Sequence, residues 1–368
     1  MSHKTRVAVG MSGGVDSTIA AYLLKKAGYD VTGLTMKIWD DPGTTTGKTG
    51  ACYSPDREND LNNIRDICCK LNIPHYTIPL ASEFRHHVIE YFRNEYLSGR
   101  TPNPCMVCNR EIKFALLLAR AREMDLEFNY FATGHYAIVE HDKKSGRFLL
   151  KRGLDREKDQ SYFLALLRQE QLEQTMFPLG AMTKPEVKAL AKKLGFKTLA
   201  EHRESQDFVE NGSYQVLFQD TDARTGPIID STGKILGEHS GIMNYTIGQR
   251  KKLGLNGNPD PLYVTAINAE ENTITVGPES DLMARGLIAC DLNWIAFDNL
   301  VRERSVNAKI RRQHPETGAL ISPARCSEEP CTRVKFAQSQ MSVTPGQAVV
   351  FYDGDLVLGG GTILRAEK

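Results

Sequence analysis

The sequence Gly10-Met11-Ser12-Gly13-Gly14-Val15-Asp16-Ser17 lies between a short apolar run, residues 7–9, and a helical pattern that starts near Ile19. This order predicts a strand, a glycine-rich turn and a helix. Glycines let the backbone approach an anion closely, and the N–H groups at a helix start attract negative charge. A simple Gly-Ser turn with a capping side chain is the alternative interpretation. The flanking strand and helix favour phosphate binding by residues 10–17.

The turn differs from the G-x-x-x-x-G-K-[ST] loop of many ATPases, because no lysine precedes Ser17 and Asp16 stands inside the turn. Its S-G-G-x-D-S pattern resembles the pyrophosphatase loop of enzymes that adenylylate a substrate and release pyrophosphate. That resemblance implies ATP as the ligand. Mg²⁺ is the expected ion, because phosphate oxygens and carboxylates suit it.

Composition describes an ordinary globular chain. With 368 residues, 41% of them hydrophobic and 25% charged, it is long enough for two or three domains. No apolar run has the length of a bilayer, and the first residues do not resemble a signal peptide. We therefore expect a cytoplasmic protein without a membrane partner. Since the net charge is only +1, a nucleic-acid partner must be bound by local basic patches.

Short apolar runs alternate with helical patterns over the first third of the chain. The predicted strands are 7–11, 31–39, 75–80 and 129–133, and the predicted helices are 60–71, 84–97 and 112–124. This alternation predicts a parallel sheet covered on both faces, with ligands at the carboxyl ends of its strands. Residues 10–17, 36–40 and 134–136 should then line one crevice. Residues 40–56 are rich in Gly and Thr, which predicts either an active-site flap or a surface loop without a role.

The pattern changes twice further along the chain. Helical patterns at 162–172 and 184–194 predict a helical extension of the first domain, and short strands begin near residue 226. The spacing of apolar runs from 287 to 364 predicts a small β-barrel. We predict an α/β parallel-sheet ATP-pyrophosphatase domain with a helical extension over 1–208. A small β-rich domain follows at 209–280, and a C-terminal β-barrel at 281–368.

Eight cysteines in a cytoplasmic chain favour thiol chemistry or metal ligation over disulfides. Cys105 and Cys108 form a C-x-x-C motif just before a predicted helix, with Arg110 and Lys113 nearby. A helix start and basic neighbours favour the thiolate. The motif is compatible with a redox pair, half of a zinc site, part of an iron–sulfur site or two buried structural thiols. Cys68 and Cys69 fall in a helical pattern and are predicted to be core thiols.

Several long motifs together resemble those of the tRNA-specific 2-thiouridylases, and they extend over nearly the whole chain. They are 10–17 (GMSGGVDS), 99–104 (GRTPNP), 108–109 (CN), 112–114 (IKF), 132–136 (ATGHY), 158–164 (KDQSYFL), 177–180 (FPLG), 237–239 (GEH), 245–250 (YTIGQR), 344–347 (TPGQ) and 359–361 (GGG).

The resemblance implies an enzyme that uses ATP to adenylylate the oxygen on carbon 2 of the wobble uridine of certain tRNAs and then replaces that oxygen with sulfur. It implies catalytic roles for Cys108 and Asp16. The implied ATP-binding residues are Gly10, Met11, Ser12, Gly13, Gly14, Val15, Asp16, Ser17, Met36 and Gly134. The residues implied to meet the tRNA or its target base are Asn103, Pro104, Cys105, His135, Lys158, Asp159, Gln160 and Gln347.

The sequence departs from this family at two positions. Cys105 stands where many members carry aspartate. Val209 stands where the family has its sulfur-carrying cysteine, in the stretch ESQDFVE at 204–210. Because valine carries no sulfur, the family's two-cysteine mechanism cannot operate here as it is usually drawn.

Two hypotheses replace that mechanism. In the first, Cys105, Cys108 and Cys52 ligate an iron–sulfur cluster, such as a 4Fe–4S cluster, whose open iron binds sulfide. In the second, Cys108 alone accepts sulfur from a donor, either a cysteine desulfurase or a sulfur-relay protein. We favour the cluster, because Cys105 adds a thiol at C-x-x-C spacing in a chain that lacks the other sulfur carrier.

Basic clusters in the second half of the chain, at 249–252, 302–304 and 309–312, include Arg311 and Arg312. We predict that they contact tRNA phosphates, which would make the affinity depend on salt. Two further hypotheses are a tRNA-binding protein that has lost its thiolation chemistry, and an ATP-pyrophosphatase that acts on a small molecule. A protein without thiolation activity would not need an intact 10–17 loop, Cys108 and the 158–160 motif, so their presence argues against the first of these hypotheses.

Overall fold

The computed structural model describes residues 4–39, 57–201, 214–218, 223–255, 260–327 and 329–368. Cys52, Val209 and the predicted flap at 40–56 lie outside these residues. The chain divides into two compact units. The first unit comprises Met1–Val88, Cys105–Ser213 and Asp355–Val357, and the second comprises Ile89–Pro104, Tyr214–Gly354 and Leu358–Lys368.

The strands in chain order are β1 (Arg6–Gly10), β2 (Asp30–Lys37), β3 (His75–Pro79), β4 (Tyr130–Ala132), β5 (Ala137–Asp142), β6 (Arg147–Arg152), β7 (Thr175–Met176), β8 (Gly226–Ile229), β9 (Ile235–His239), β10 (Tyr263–Asn268), β11 (Thr273–Gly277), β12 (Met283–Trp294), β13 (Arg304–Lys309), β14 (Thr317–Cys326), β15 (Glu329–Met341), β16 (Ala348–Asp353) and β17 (Leu356–Glu367).

The α-helices are α1 (Val15–Lys26), α2 (Arg57–Leu71), α3 (Ala81–Phe84), α4 (Tyr91–Leu97), α5 (Pro104–Val107), α6 (Leu117–Glu123), α7 (Ser161–Leu164), α8 (Gln169–Glu173), α9 (Lys184–Lys193) and α10 (Lys197–Glu201). Two segments, Arg85–Glu90 and Cys108–Leu116, are π-helical, and Tyr214–Leu217, Ile242–Asn244 and Glu279–Leu282 are 3₁₀ turns. None of the helices in the described part of the chain has the length and apolar composition of a membrane crossing.

The predicted parallel sheet is confirmed. Its strand order is β3-β2-β1-β4-β7, and each neighbouring pair is parallel. The chain builds β2 and β3 on one side of β1 and then β4 and β7 on the other. The order therefore reverses between β1 and β4, and in open α/β sheets ligands bind outside the carboxyl ends of the strands at such a reversal. The 10–17 turn follows β1 at this point.

The interior of the first unit explains why these segments form a sheet covered by helices. Val7 and Val9 of β1, Ile19 and Leu24 of α1 and Val31 of β2 are buried in one apolar cluster. A strand that is buried on both faces carries apolar side chains in sequence without alternation, as residues 7–9 do. The packing of α1 on β1 and β2 fixes the position of the turn that joins β1 to α1.

Two predicted helices differ from the structure. The helix predicted at 162–172 is divided into α7 and α8, because Arg168 is extended (φ −80°, ψ 165°) and starts a new helix as its N-cap. The helix predicted to start at Ile112 begins at Pro104. Proline suits a first helical position, because its missing N–H would have had no partner there. Cys105 and Cys108 therefore lie within helical structure.

The second unit contains the two smaller β structures that the sequence predicts. Strands β10-β11-β8-β9 form a mixed sheet, whose buried residues include Ile228, Val264 and Ile274. Strands β12-β15-β14-β13-β16-β17 form a six-stranded barrel, closed by pairing of β12 with β17. The predicted fold class, an α/β parallel sheet followed by smaller β structures and a final barrel, is confirmed.

Candidate active site

The phosphate-loop candidate is a tight turn between β1 and α1. Gly13 has φ +78°, a conformation that favours glycine, and a Cβ added there would meet Cγ1 of Ile64 at 3.1 Å. Gly14 is the N-cap of α1 and has no side chain with which to cap it. The first N–H groups of α1 therefore lie at a glycine-rich turn where a phosphate can approach them.

Hydroxyl groups hold this turn in shape. The Ser12 N–H donates to Oγ of Ser17 at 3.3 Å, and that hydroxyl donates to the Gly14 carbonyl at 3.1 Å. Thr18 Oγ1 donates to the same carbonyl at 2.9 Å. The turn is therefore organised by its own side chains.

The start of the turn is also fixed by hydrogen bonds from Thr35 of β2 and His75 of β3. Thr35 Oγ1 donates to the Met11 carbonyl at 2.9 Å, so the hydroxyl accepts the hydrogen bond from Nε2 of His75 at 2.8 Å. Burial lowers the pKa of His75, and Arg65 adds a smaller effect in the same direction. A neutral imidazole with its proton on Nε2 satisfies this chain of bonds. Sequence reasoning missed Thr35 and His75, which are ordinary strand residues by pattern.

Gly134 approaches the loop from the carboxyl end of β4. A Cβ added to Gly134 would lie 2.7 Å from the Asp16 carbonyl carbon and 2.8 Å from the Ser17 nitrogen. Glycine is required here because two backbones meet. The structure thus brings together residues 10–17 and Gly134, which the sequence predicted at one edge. Met36 is half-buried near the end of β2, the strand beside β1.

The Asp16 carboxylate is held by two residues that sequence reasoning did not assign. The Lys184 ammonium lies 2.8 Å from Oδ1 and 2.7 Å from Oδ2, and Tyr136 Oη donates to Oδ1 at 2.9 Å. Lys184 is the first residue of α9, and its side chain is only 6% exposed. Its ammonium also lies 5.7 Å from the centre of the Tyr136 ring. A lysine before a proline at a helix start is usually solvated, so no sequence signal indicated this ion pair.

His135 lies among aromatic rings of the first unit. Its Nδ1 is 2.7 Å from Thr133 Oγ1, and its ring centre is 6.0 Å from that of Phe114 and 5.9 Å from that of Phe177. Burial lowers the pKa of His135 well below its usual value, and Lys113 adds to the effect. The imidazole is therefore neutral near pH 7, and a tRNA contact by His135 stays a prediction.

The 158–160 motif forms a turn that is tied to Tyr136. Gln160 Oε1 accepts the Tyr136 N–H at 3.0 Å, and the Gln160 N–H donates to the Tyr136 carbonyl at 2.9 Å. Asp159 accepts from Ser161 Oγ at 2.9 Å and lies 3.6 Å from the Arg152 guanidinium. The Lys158 N–H donates to the Asp155 carbonyl at 3.2 Å. These contacts organise the turn, and its predicted contacts with tRNA stay predictions.

Both cysteines of the C-x-x-C motif are half-buried. Cys105 is in α5, and Cys108 is the first residue of the π-helical segment. The buried Asn109 donates from Nδ2 to the Phe163 carbonyl at 3.0 Å and accepts from Lys113 Nζ at 3.0 Å. The Phe163 contact ties the segment that carries Cys108 to the helix after the 158–160 motif.

The two basic side chains expected beside the thiols have carboxylate and amide partners. Arg110 Nε donates to Oε1 of Glu111 at 2.6 Å, and Lys113 donates to Asn109. These two cations therefore interact with neighbouring side chains of the same helix.

In the second unit, Gln347 contacts the segment that ends at Pro104. Its Nε2 donates to the Thr101 carbonyl at 3.1 Å and to the Pro102 carbonyl at 2.9 Å. The Asn103 N–H donates to Tyr91 Oη at 3.3 Å. The structure thus brings Gln347 to this segment, although they are far apart in sequence.

The barrel arginines predicted to contact tRNA follow β13. Arg311 donates to the Ser342 carbonyl, so it also supports the barrel, and Arg312 is half-buried. Their roles in tRNA binding stay predictions.

The remaining described cysteines do not extend the C-x-x-C site. Cys68 is buried as predicted, and burial raises its pKa to about 11, whereas Cys69 is exposed, so the prediction of a core thiol at 69 was wrong. In the barrel, burial and a hydrogen bond with Cys326 raise the pKa of Cys331 to about 12. Within the described residues, no group of three or more His, Cys, Asp or Glu side chains is arranged to hold a metal ion. Cys52 lies outside those residues, so the three-cysteine hypothesis stays a prediction.

Fold and site together define an α/β protein with a glycine-rich turn at the carboxyl ends of the strands of a parallel sheet. Three family models match the chain: "tRNA methyl transferase HUP domain" at 5–210, "tRNA methyl transferase PRC-barrel domain" at 215–278 and "Aminomethyltransferase beta-barrel domain" at 284–363.

Curated relatives align along its whole length. The chain is 46% identical over 367 residues to tRNA-specific 2-thiouridylase MnmA of Endomicrobium trichonymphae, covering 99% of this chain and 100% of that protein. It is also 46% identical to tRNA-specific 2-thiouridylase MnmA 2 of Thermoanaerobacter sp. (strain X514), with 100% of both chains covered. The MnmA protein of Acetivibrio thermocellus is 44% identical, with 98% and 99% covered. The chain belongs to the tRNA-specific 2-thiouridylase family.

Proposed function

We propose that this protein uses ATP to adenylylate the oxygen on carbon 2 of the wobble uridine in tRNA, with pyrophosphate leaving, and then replaces that oxygen with sulfur, with AMP leaving. The observation that carries the proposal is the close approach of Gly134 to Asp16 and Ser17, in a chain related to 2-thiouridylases over its full length. Because of this contact, Gly134 after β4 and the glycine turn at the start of α1 lie together at the same edge of the sheet. An adenylylating enzyme needs such a site for the pyrophosphate that leaves.

The residues of the chain fit ATP as follows. The N–H groups of residues 13–17 bind the phosphates, and Ser17 and Thr18 hold the turn in shape through their hydrogen bonds to the Gly14 carbonyl. Bound ATP supplies the adenylyl group and pyrophosphate as its leaving group. Asp16 is the carboxylate of the turn that would hold Mg²⁺, beside the Lys184 ammonium that its two oxygens also bind.

The alternative chemistry is methyl transfer, because two of the matching family models carry that name. The S-G-G-x-D-S turn speaks against it, since methyl transfer produces no pyrophosphate to be held. The relatives named 2-thiouridylases over the full chain length support thiolation. The reaction product separates the two directly, since thiolation adds sulfur to uridine and methylation adds carbon.

The test of this function uses purified protein, unmodified tRNA, ATP and a sulfide source. We expect ATP-dependent formation of 2-thiouridine, with pyrophosphate released. Asp16→Ala and Ser17→Ala are expected to abolish adenylylation and to leave tRNA binding largely intact, because loop residues meet pyrophosphate and its metal ion. Adenylylation at the parent rate by either variant would show that the loop has been assigned the wrong role.

Sulfur delivery is proposed to pass through Cys108, because Val209 stands where the family has its second cysteine. In the first route, Cys105, Cys108 and Cys52 would hold an iron–sulfur cluster, which would supply an open iron for sulfide. Without a cluster, the Cys108 thiolate takes the outer sulfur of a persulfide on a cysteine desulfurase or a sulfur-relay protein, and the donor's thiolate leaves. The Cys108 persulfide then attacks carbon 2 with AMP leaving, and an external thiol reduces the resulting disulfide to release the thiolated uridine. Two half-buried thiols at C-x-x-C spacing are compatible with either route.

An anaerobic preparation separates these routes. With a cluster, the protein carries iron and sulfide, and Ala at 52, 105 or 108 removes both. With Cys108 alone, metal-free protein thiolates tRNA and only Cys108→Ala is inactive. Cys69→Ala is the matched control, because that thiol is exposed on α2. Full activity of metal-free protein excludes the cluster.

We further propose the three domains 1–208, 209–280 and 281–368, with the last contributing Arg311 and Arg312 to tRNA binding. The proposed location is the cytoplasm, where tRNA, ATP and sulfur-donor proteins are present together. Limited proteolysis that yields stable fragments ending near residues 208 and 280 would support these boundaries.

A further inference from the structure

The side chain of Gln171 binds the π-helical segment Cys108–Leu116 from outside. Gln171 Nε2 donates to the Arg110 carbonyl at 2.7 Å and to the Phe114 carbonyl at 3.1 Å. These carbonyls are four residues apart, so the two bonds hold about one turn of the segment. All of these residues belong to the first unit.

The orientation of the Gln171 amide follows from a third hydrogen bond. Its Oε1 accepts the N–H of Arg168 at 2.9 Å, which caps the start of α8. Both N–H donors and the carbonyl oxygen of the amide therefore have partners. The reversed amide would set its oxygen against two carbonyl oxygens and its nitrogen against an N–H, so only one orientation is satisfied.

Such external support matters because π-helices are rare, and they occur frequently at functional sites. Cys108 is the first residue of this one, two positions before the carbonyl that Gln171 binds most closely. The neighbouring Asn109 is bound to the Phe163 carbonyl. The backbone just after the cysteine is therefore fixed at two points, and this sets the direction in which the Cys108 side chain leaves the helix.

We propose that Gln171 is a positioning residue for Cys108. It keeps residues 108–116 in the π-helical form and thereby holds the thiol in the geometry that sulfur transfer requires. Gln171 itself does not meet the substrate. The inference rests on the proposed role of Cys108 in the reaction.

Gln171→Glu tests this inference with little change in shape. The variant keeps an oxygen for the Arg168 N–H but replaces two donors with a carboxylate oxygen that faces two carbonyls. We expect thiolation to fall roughly tenfold or more, because small displacements of reacting groups have large effects on rate. The KM for ATP should stay at the parent value. Lower pH should restore part of the activity relative to the parent, because a protonated carboxyl regains one donor.

Hydrogen–deuterium exchange provides a readout that does not depend on activity. Amides of residues 108–116 should exchange faster in Gln171→Glu, while those of β1 stay protected as a check of the fold. Gln171→Met loses the same hydrogen bonds without adding a charge. Amides of residues 108–116 should therefore exchange as fast in this variant as in Gln171→Glu, and its activity should not recover at lower pH. Gln174→Glu is the control, because Gln174 is the half-buried C-cap of α8, where it donates to the Glu170 carbonyl at 3.1 Å and accepts from Arg122. It should match the parent in both measurements.

The outcomes separate this inference from the proposed function. If Cys108→Ala is inactive while both Gln171 variants thiolate at the parent rate, only the positioning role is wrong. Faster exchange at 108–116 without loss of thiolation also overturns it, because the thiol would then not need the support. If Cys108→Ala is active, the proposed role of Cys108 fails and the inference fails with it.

Discussion

The ammonium of Lys184 lies 2.7 and 2.8 Å from the two carboxylate oxygens of Asp16, although the residues are 168 positions apart. The pair joins the start of α9 to the loop after β1. The lysine side chain is 6% exposed and that of Asp16 is 30% exposed. Each charge has therefore lost much of its hydration and relies on the other. The loop that we assign to ATP is thus built from two distant parts of the chain.

Lys184→Met should destabilise the protein. Removing one partner of a buried ion pair typically lowers the free energy of unfolding by 3–5 kcal/mol, and because Asp16 is partly hydrated we expect about 3 kcal/mol. Denaturant unfolding measures this. Lys193→Met, at the exposed end of the same helix, should unfold like the parent.

A double variant tests whether the loss comes from the ion pair. In Asp16→Asn/Lys184→Met no charge is left without its partner, so the double variant should be more stable than the sum of the single losses implies. Strict additivity of the two losses would contradict an ion pair that couples these residues.

Gly134→Ala should abolish ATP-dependent adenylylation and leave tRNA affinity unchanged. The added methyl group would lie 2.7 Å from the Asp16 carbonyl carbon, so the loop or β4 must move. ATP binding measured by calorimetry and adenylylated tRNA measured by mass spectrometry check this. Gly318→Ala is the control, because its Cβ would have its nearest contact at 3.6 Å, with Ala337. Normal ATP affinity in Gly134→Ala would show that the close approach is not needed.

Stability should fall in mild acid because of His135. Its folded-state pKa lies well below 6.5, so below that pH the unfolded chain binds a proton that the folded chain does not. The free energy of unfolding therefore falls as the pH falls below 6.5, by up to about 1.4 kcal/mol per pH unit. The decrease is complete only when the pH is below the pKa of His135 in the folded protein. His135→Gln should flatten the dependence of unfolding free energy on pH below 6.5. His141→Gln, at an exposed position, should keep the parent slope.

Arg312→Ala should weaken tRNA binding and reduce its dependence on salt. A lost phosphate contact lowers the slope of log affinity against log salt by about one. Arg311→Ala should behave similarly but also loosen the barrel, because its guanidinium donates to the Ser342 carbonyl. Arg365→Ala, an exposed barrel residue outside the three basic clusters, is the control. Parent-like slopes in both variants would leave this surface without a role in tRNA binding.

Local patterns in the sequence determined the phosphate loop, the parallel sheet and the barrel. The run at residues 7–9, the glycines at 13 and 14 and the helical pattern from Ile19 specify strand, turn and helix through interactions between near neighbours. The reversal of strand order between β1 and β4 then follows from ordinary α/β topology. For this reason Gly134 could be assigned to the same edge as Asp16 from sequence alone.

Tertiary packing alone decided which side chains support that site. Lys184, Thr35 and His75 carry no distinctive spacing, and each acquires its role through a contact made across the fold. The helix predicted at 162–172 divides because the Gln171 amide caps α8 and at the same time binds two carbonyls of the segment that begins at Cys108. Such hydrogen bonds depend on the distance between elements far apart in the chain, which no local pattern encodes.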